Sequence, residues 1–433
     1  DNAIGALISG DGSSLNISGG IDVTGGGTGL IVDGDDVDIN NAGTSSTSGK
    51  GSTGVIVKGD NANIVNSGDM TVTDGATGGA ITGDNVTIDN KGDSTTSGSG
   101  SAAMILDGDG ATMTNKGSQT VSDGGTSIAI NGDNARVTND GAQTITGGGT
   151  GTKITGNDAM VNNTGETNVS DADSIAMSID GDGVLVLNEG DQTISGGGTG
   201  TKISGDNATL SSTGDISVDG SGSAVVILDG NDARMTQTGD LVVTNGAWGL
   251  VSHGENNTLS NTGHTTVHDE DSIAFIVAGK NSTFTNKGDV DVSLNGTGAL
   301  VSGDGSKVTQ KGNINVTAVQ DSSGLYRGAT GIDISGHSTT STLQGNVTLT
   351  GNLAEKKLTD ESLTGLRIEG NNNNVSLSGS LTIEMNDHTM GSTESLDSVG
   401  LDIQGDGNTV NLTGGIDLTL TTTATPVSRS TKG

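Results

Sequence analysis

The stretch VKGDNANIVNSGDMTVTDGATGGAITG, residues 57–83, carries the design of the whole chain. Gly59 is followed nine positions later by Gly68, and the next such pair begins at Gly83. Working outward, the first glycine of the pair recurs at 10, 34, 59, 83, 108, 132, 156, 181, 205, 230, 254, 279 and 303, then at 336, 370 and 405. The intervals are 24 or 25 residues and lengthen to 33, 34 and 35 at the end. A period of this size marks a stacked repeat, in which each unit renews a thin core shared with its neighbours.

Within each unit the apolar residues fall into three columns. Two positions before the first glycine stand Ile8, Val32, Val57, Ile81, Leu106 and their successors, interrupted by Ser252. Four before the second glycine stand Leu15, Ile39, Ile64, Ile88, Met113 and later Phe284. Four after it stand Val23, Thr47, Val72, Thr96 and Val121. Asn41, Asn66, Asn90, Asn115, Asn139, Asn163 and Asn188 lie two positions beyond the middle column. Alternate residues of a strand share a face, so these amides also point inward. Thr, Ser, Asp and Gln flank the columns and face out.

The pattern predicts an all-β protein, a right-handed parallel β-helix (β-solenoid) with three short strands per 24–25-residue coil and about sixteen coils. Fifteen steps of ~4.8 Å give roughly 70 Å of stacked strands. Corner glycines are expected to supply a positive φ or a close backbone approach. The inward Asn residues should bond amide to amide between coils and to corner backbone. A left-handed hexapeptide helix has a shorter coil, of ~18 residues. The tandem nonapeptide of calcium-binding β-rolls is not repeated, and β-branching with this much glycine excludes helical repeats. Coils 1–316 are regular, and 317–433 carry extended corner segments at 317–331, 350–365 and 384–400.

Composition agrees with a thin core. Of 433 residues only 30% are hydrophobic and 1% aromatic, with 76 Gly and a net charge of −34. That charge opposes binding to nucleic acid backbones. Cys is absent, which removes disulfides, thiolate metal sites and Cys nucleophiles. No apolar run approaches the length of a membrane-spanning helix, and no signal-peptide pattern is present. Because residue 1 already lies inside the repeat, the chain is expected to be part of a longer protein.

Candidate sites are the places where the repeat departs from itself. The position after the first glycine is acidic in most units, and some units add an acid beside it: Asp33, Asp35 and Asp36; Asp107 and Asp109; Asp180 and Asp182. Turn chemistry explains such residues, with each Asp capping its own corner; the competing reading is a row of weak Ca2+ sites. No other cofactor is expected. The extended segments hold Tyr326, Arg327, Lys356, Lys357 and His388, and insertions at one corner of a solenoid mark a working surface. LAEKKLTDESL, 353–363, has short helical character. Trp248, the single Trp, sits at the same corner one stretch earlier, beside the irregular Ser252 and His253. His264 and His268 lie near Glu270 and Asp271, where a solvated polar face is favoured over a metal cluster. Enzymes built on β-helices use a singled-out carboxylate pair in an aromatic-lined groove. Here no pair stands out, and Phe275 and Phe284 both fall on inward columns, so no catalytic residue is assigned.

Units such as VKGDNANIVNSGDMTV (57–72), INGDNARVTNDGAQTI (130–145) and ISGDNATLSSTGDISV (203–218) resemble the passenger domains of Gram-negative autotransporter adhesins of the AIDA-I and antigen 43 type. The resemblance spans nearly the whole chain and is to a style of repeat. No G-D-S-G-S protease motif occurs, which sets aside the protease passengers. The resemblance implies a surface-displayed adhesin on the extracellular side of the outer membrane, or secreted, whose parent protein carries a C-terminal β-barrel. It implies cell adhesion, autoaggregation or biofilm formation, with sister passengers, a host-surface or matrix protein, or a glycan as partner. A rigid stalk presenting a distal tip is the alternative, and a polysaccharide-acting enzyme is a third reading.

Overall fold

The computed structural model describes residues 3–322, 326–353, 363–387 and 398–422. They form a parallel β-helix with three short strands per coil. The chain divides into two compact units, 1–240 with 250–259, and 241–249 with 260–433.

In the first unit the first sheet runs from Ile4–Ile8 to Ala224–Leu228 and the second from Ser14–Ile17 to Arg234–Gln237. The third runs from Asp22–Val23 to Ile216–Asp219. Each strand pairs in parallel with its equivalent one coil away, and the register follows the sequence columns: Ile81 faces Val57 and Leu106, and Ile88 faces Ile64 and Met113. The second unit repeats this from Leu241–Thr244, Ile273–Val277 and Thr283–Asn286 onward. Its later third-sheet strands lengthen to seven residues, as in Ile314–Gln320 and Val347–Leu353. Part of each expected corner insertion is therefore strand, because the extra residues continue the ladder before the chain turns.

The columns are core. Val32, Val57, Leu106, Ile130 and Ile154 are fully buried, as are Val72, Val121 and Ile145. A fourth inward column, three positions after the first glycine, holds Val37, Ala62, Val86, Ala111 and Ala135. In the second unit Phe275 and Phe284 are buried side by side, with ring centroids 4.8 Å apart. Ser252 causes no distortion. Its strand, Trp248–Ser252, has the usual five residues, and its buried hydroxyl accepts a bond from Asn257 Nδ2 at 3.1 Å.

The Asn column forms the expected ladder. Asn90 Nδ2 donates to Asn115 Oδ1 at 2.6 Å, Asn115 to Asn139 at 2.7 Å and Asn139 to Asn163 at 2.7 Å. Each also donates to the carbonyl of the corner glycine two residues on, as Asn115 does to Gly117 at 2.7 Å. Every such amide thus closes its own corner and clamps the next coil, which offsets the cost of burying it.

The paired glycines are required for close approach rather than for a positive φ. A Cβ on Gly83 would meet the carbonyl of Gly59, and one on Gly117 that of Gly92. The left-handed residue is two places further on, at Asp36, Asn61, Asn85 and Asn134, where Asx side chains are tolerated.

Candidate binding site at the third corner of the second unit

The corner between the third strand and the next first strand has two forms. Coils of 24 residues turn on two consecutive left-handed residues: Asp74 and Gly75, Asp123 and Gly124, Asn245 and Gly246. Coils of 25 residues place left-handed residues on either side of one other, as with Gly49 and Gly51 or Asp269 and Asp271. They follow these with a buried serine: Ser52, Ser101, Ser174, Ser223 or Ser272. That hydroxyl accepts the backbone N–H of the previous coil's corner, as Ser101 does from Gly75 at 2.9 Å. The extra residue therefore brings its own hydrogen-bonding group, and the difference between coils of 24 and 25 is a structural rule that column reading does not reveal.

One corner breaks the residue rule while keeping the geometry. Leu294 and Asn295 stand where other coils have Gly, Asp or Asn, with φ of 50° and 64°. A left-handed Leu is uncommon and costs ~1–2 kcal/mol. The Asn295 N–H donates to the Gly328 carbonyl at 2.6 Å. Gly328 follows a hairpin in which Val319 pairs with Arg327 and Gln320 with Tyr326, antiparallel to each other. Arg327 Nε donates to Asp321 Oδ2 at 2.8 Å across this hairpin, and both side chains are half-buried.

Between corner and hairpin lies a cleft of about 590 Å³, lined by Asn245, Asp269 and Glu270 on one side, Leu294 and Asn295 at the base, and Gln320, Asp321, Ser322 and Arg327 on the hairpin. Asp269 Oδ2 bonds His268 Nδ1 at 2.8 Å and accepts the Asn245 N–H at 3.3 Å. Glu270 is exposed at the rim.

Of the residues singled out by sequence, Arg327 lies in this cleft and Tyr326 contributes its backbone to the hairpin. Trp248 is 39% exposed and opens a first-sheet strand at the register position of Thr297, outside the cleft lining. Lys356, Lys357, His388 and the helical reading of 353–363, apart from Leu353, which ends a strand, and Leu363, which opens one, lie outside the described residues.

The acidic column acts differently from the expected self-capping turn. Its Asp carboxylates accept the N–H of the equivalent residue in the next coil: Asp35 from Asp60 at 2.9 Å, Asp84 from Asp109 at 2.9 Å, Asp109 from Asp133 at 2.8 Å and Asp182 from Asp206 at 2.8 Å. Asn157 and Asn231 do the same where they replace Asp. Asp33 pairs with Lys58 at 3.2 Å, Asp107 accepts from Asn131 at 2.7 Å, and Asp36 is a left-handed corner residue. Asp180 ends its coil just before Gly181. A second ladder, unread in the sequence, runs along the other corner, with Asp93 accepting from Ser118 at 2.8 Å and Asp215 from Asp240 at 2.9 Å. Among the described residues no group of three or more acidic or His side chains gathers as a metal site. His264 and His268 go to separate partners, Asp291 and Asp269.

The outer face of the first sheet in the second unit holds one further cluster. Arg367 lies between Asp333 and Asp402 in register, 3.7 and 3.8 Å from them, with Glu369 at 3.9 Å. Burial pushes the Asp333 carboxyl above its ordinary value, and Glu369 and Asp402 add to this while Arg367 opposes it.

No protein-family model matches the chain, and no curated protein matches it. Among solved structures, the hyper-glycosylated TibA fragment produced by TibC catalysis is similar at 17% identity, covering 91% of this chain and 100% of that one with a TM-score of 0.30. A likeness of that size carries no functional argument.

Proposed function

We propose that the chain is a surface-displayed adhesion module that holds its partner at the third corner of the second unit. The supporting observation is the cleft between Leu294–Asn295 and the antiparallel pairing of Val319 and Gln320 with Arg327 and Tyr326. Elsewhere the corner acids are occupied in holding successive coils together, which is a structural task. Here a strained corner, a hairpin and a half-buried ion pair build a concave polar surface instead. Recognition rather than catalysis is the function we assign. Display outside a Gram-negative cell, on the outer membrane or secreted, belongs to this proposal, as does a parent protein with a membrane β-barrel.

The test is adherence of beads coated with the chain to host cells, matrix and sister bacteria, with Gln320→Ala and Glu270→Gln as cleft variants. The proposal expects adherence that drops in the variants. A chain that adheres to nothing is instead a stalk.

A second reading is favoured by one observation. On the third sheet of the first unit Thr71, Thr95, Thr120 and Thr144 are in register, exposed and uncharged in a chain of net charge −34. Such a row lets two copies approach where acidic corners repel. Sedimentation against concentration, with and without calcium, tests it: a strict monomer removes self-association, and a calcium requirement returns the acidic column to consideration.

A further inference from the structure

We infer that the cleft at the third corner of the second unit binds a neutral saccharide, using the amides of Asn245, Asn295 and Gln320, the Ser322 hydroxyl, Glu270 and Arg327. This names the ligand class within the adhesion proposal and rests on it.

The size fits first. A cleft of about 590 Å³ is in the range of small-molecule sites and has room for one or two sugar rings. The lining chemistry narrows the class. A sugar hydroxyl both donates and accepts, so its site must offer both kinds of group close together. The three amides supply both, Ser322 supplies both, Glu270 accepts and the guanidinium donates.

Charge and the existing hydrogen bonds weigh against the neighbouring classes. An anionic ligand meets Asp269, Glu270 and Asp321 against Arg327 alone among the described lining residues. A cationic ligand meets Arg327 itself, and two of the three acids are already engaged, Asp321 by Arg327 and Asp269 by His268 and the Asn245 N–H. An apolar ligand would leave the polar lining without partners, which is costly. Among the described lining residues Leu294 is the apolar side chain, and it offers a surface for the C–H face of a ring.

Preorganisation is the last point. Leu294 and Asn295 occupy a left-handed pair that other coils give to Gly, Asp or Asn. Strain of this kind persists where the surroundings over-determine it and clusters at ligand sites. The Asn295 to Gly328 bond fixes the cleft base to the hairpin before any ligand arrives.

Saturation-transfer NMR on the full chain tests this with methyl glycosides of gluco, galacto, manno and N-acetylhexosamine configuration and their disaccharides. Galacturonate and spermidine serve as the charged probes. At least one neutral glycoside is expected to give a signal, and its titration to weaken at least tenfold in both Gln320→Ala and Glu270→Gln. Glu270 is exposed, so that variant reports on binding even if Gln320→Ala unfolds. Silence from every neutral glycoside, unchanged binding in Glu270→Gln, or a signal from a charged probe alone overturns the inference. If bead adherence drops in both variants but no neutral glycoside gives a signal, the saccharide inference falls while the adhesion reading stands; adherence that survives both variants overturns the cleft as the adhesion site and the inference with it. If a glycoside binds but the beads adhere to nothing, the adhesion reading falls alone.

Discussion

The backbone N–H of Asn295 donates to the carbonyl of Gly328 at 2.6 Å, tying a left-handed corner to the hairpin that grows from the following coil. Asn295 is held in this conformation beside Leu294, a residue poorly suited to it. The corner thus gives up local stability for a fixed geometry at the base of the cleft.

Replacing Leu294 with Asn should therefore stabilise the protein. Asp74, Asp123 and Asn245 hold the same register position in other coils. The gain, after some lost apolar contact, is about 0.5 kcal/mol. A urea midpoint that falls in Leu294→Asn would show that Leu294 packing outweighs its strain.

Asn115 tests the buried amide ladder. It is fully buried, accepts from Asn90 at 2.6 Å and donates to Asn139 and Gly117, each at 2.7 Å. Asn115→Ala leaves the Asn90 donor and the Asn139 acceptor short of a partner and should cost about 3 kcal/mol. Hydrogen exchange in the neighbouring coils should rise with it, since stability in a stacked repeat is passed between neighbours. Unchanged exchange there would show that the ladder is incidental.

Two glycines four residues apart should respond with opposite sign to the same change. Gly79 faces an apolar cavity of about 60 Å³, and a Cβ there would press on the Met104 sulfur at 2.6 Å, the far end of a flexible side chain that can turn aside. Gly79→Ala should stabilise by about 0.5 kcal/mol. Gly83→Ala drives a methyl group into the Gly59 carbonyl and should destabilise by several-fold more. Thermal melts of both proteins decide the point; equal losses would mean the cavity cannot accept a methyl group.

Asp84 separates backbone bonding from cation binding. Its Oδ1 accepts the Asp109 N–H at 2.9 Å, a role that Asn157 and Asn231 fill elsewhere in the column. Asp84→Asn should keep or raise stability at low salt by removing one of a row of like charges, with the gain shrinking as salt rises. Asp84→Ala should lower it. A calcium-dependent loss in Asp84→Asn would favour the cation row instead.

Asp333 gives a pH dependence. The folded state holds this proton more tightly than the unfolded chain, whose carboxyl titrates near its ordinary 3.8. Its contribution to stability is thus full below that value and is lost as pH rises through the higher folded value. Asp333→Asn should raise stability at neutral pH and flatten this part of the curve, while Arg367 keeps Glu369 and Asp402 as partners. A variant that is less stable at neutral pH would show that the Arg367 attraction dominates burial.

Much of the fold was legible from one coil. The columns at Ile81, Ile88 and Val72, the inward Asn residues and the strand positions follow from alternation and a fixed period, which are local properties. The candidate site was legible only in part. Arg327 stood out as a cation in an extended segment, but Asp321, Asn245 and Glu270 looked like any other polar corner residue. The available signal was Leu294–Asn295, whose register position matches Asp74–Gly75 and Asp123–Gly124 once the corners are aligned.

The sequence by itself determined the parallel β-helix, its inward faces and the ladder of Asn amides, because each depends on spacing repeated many times over. Tertiary structure alone decided what each corner residue does. Whether Gly83 serves a positive φ or a close approach, whether Asp84 bonds its own turn or the next coil, and whether Ser101 bridges back to Gly75 all depend on which atoms lie one coil away. Those neighbours are 24 or 25 residues distant in the chain and one strand spacing distant in space. The cleft follows the same logic, since it exists only where a hairpin from one coil folds over the corner of another.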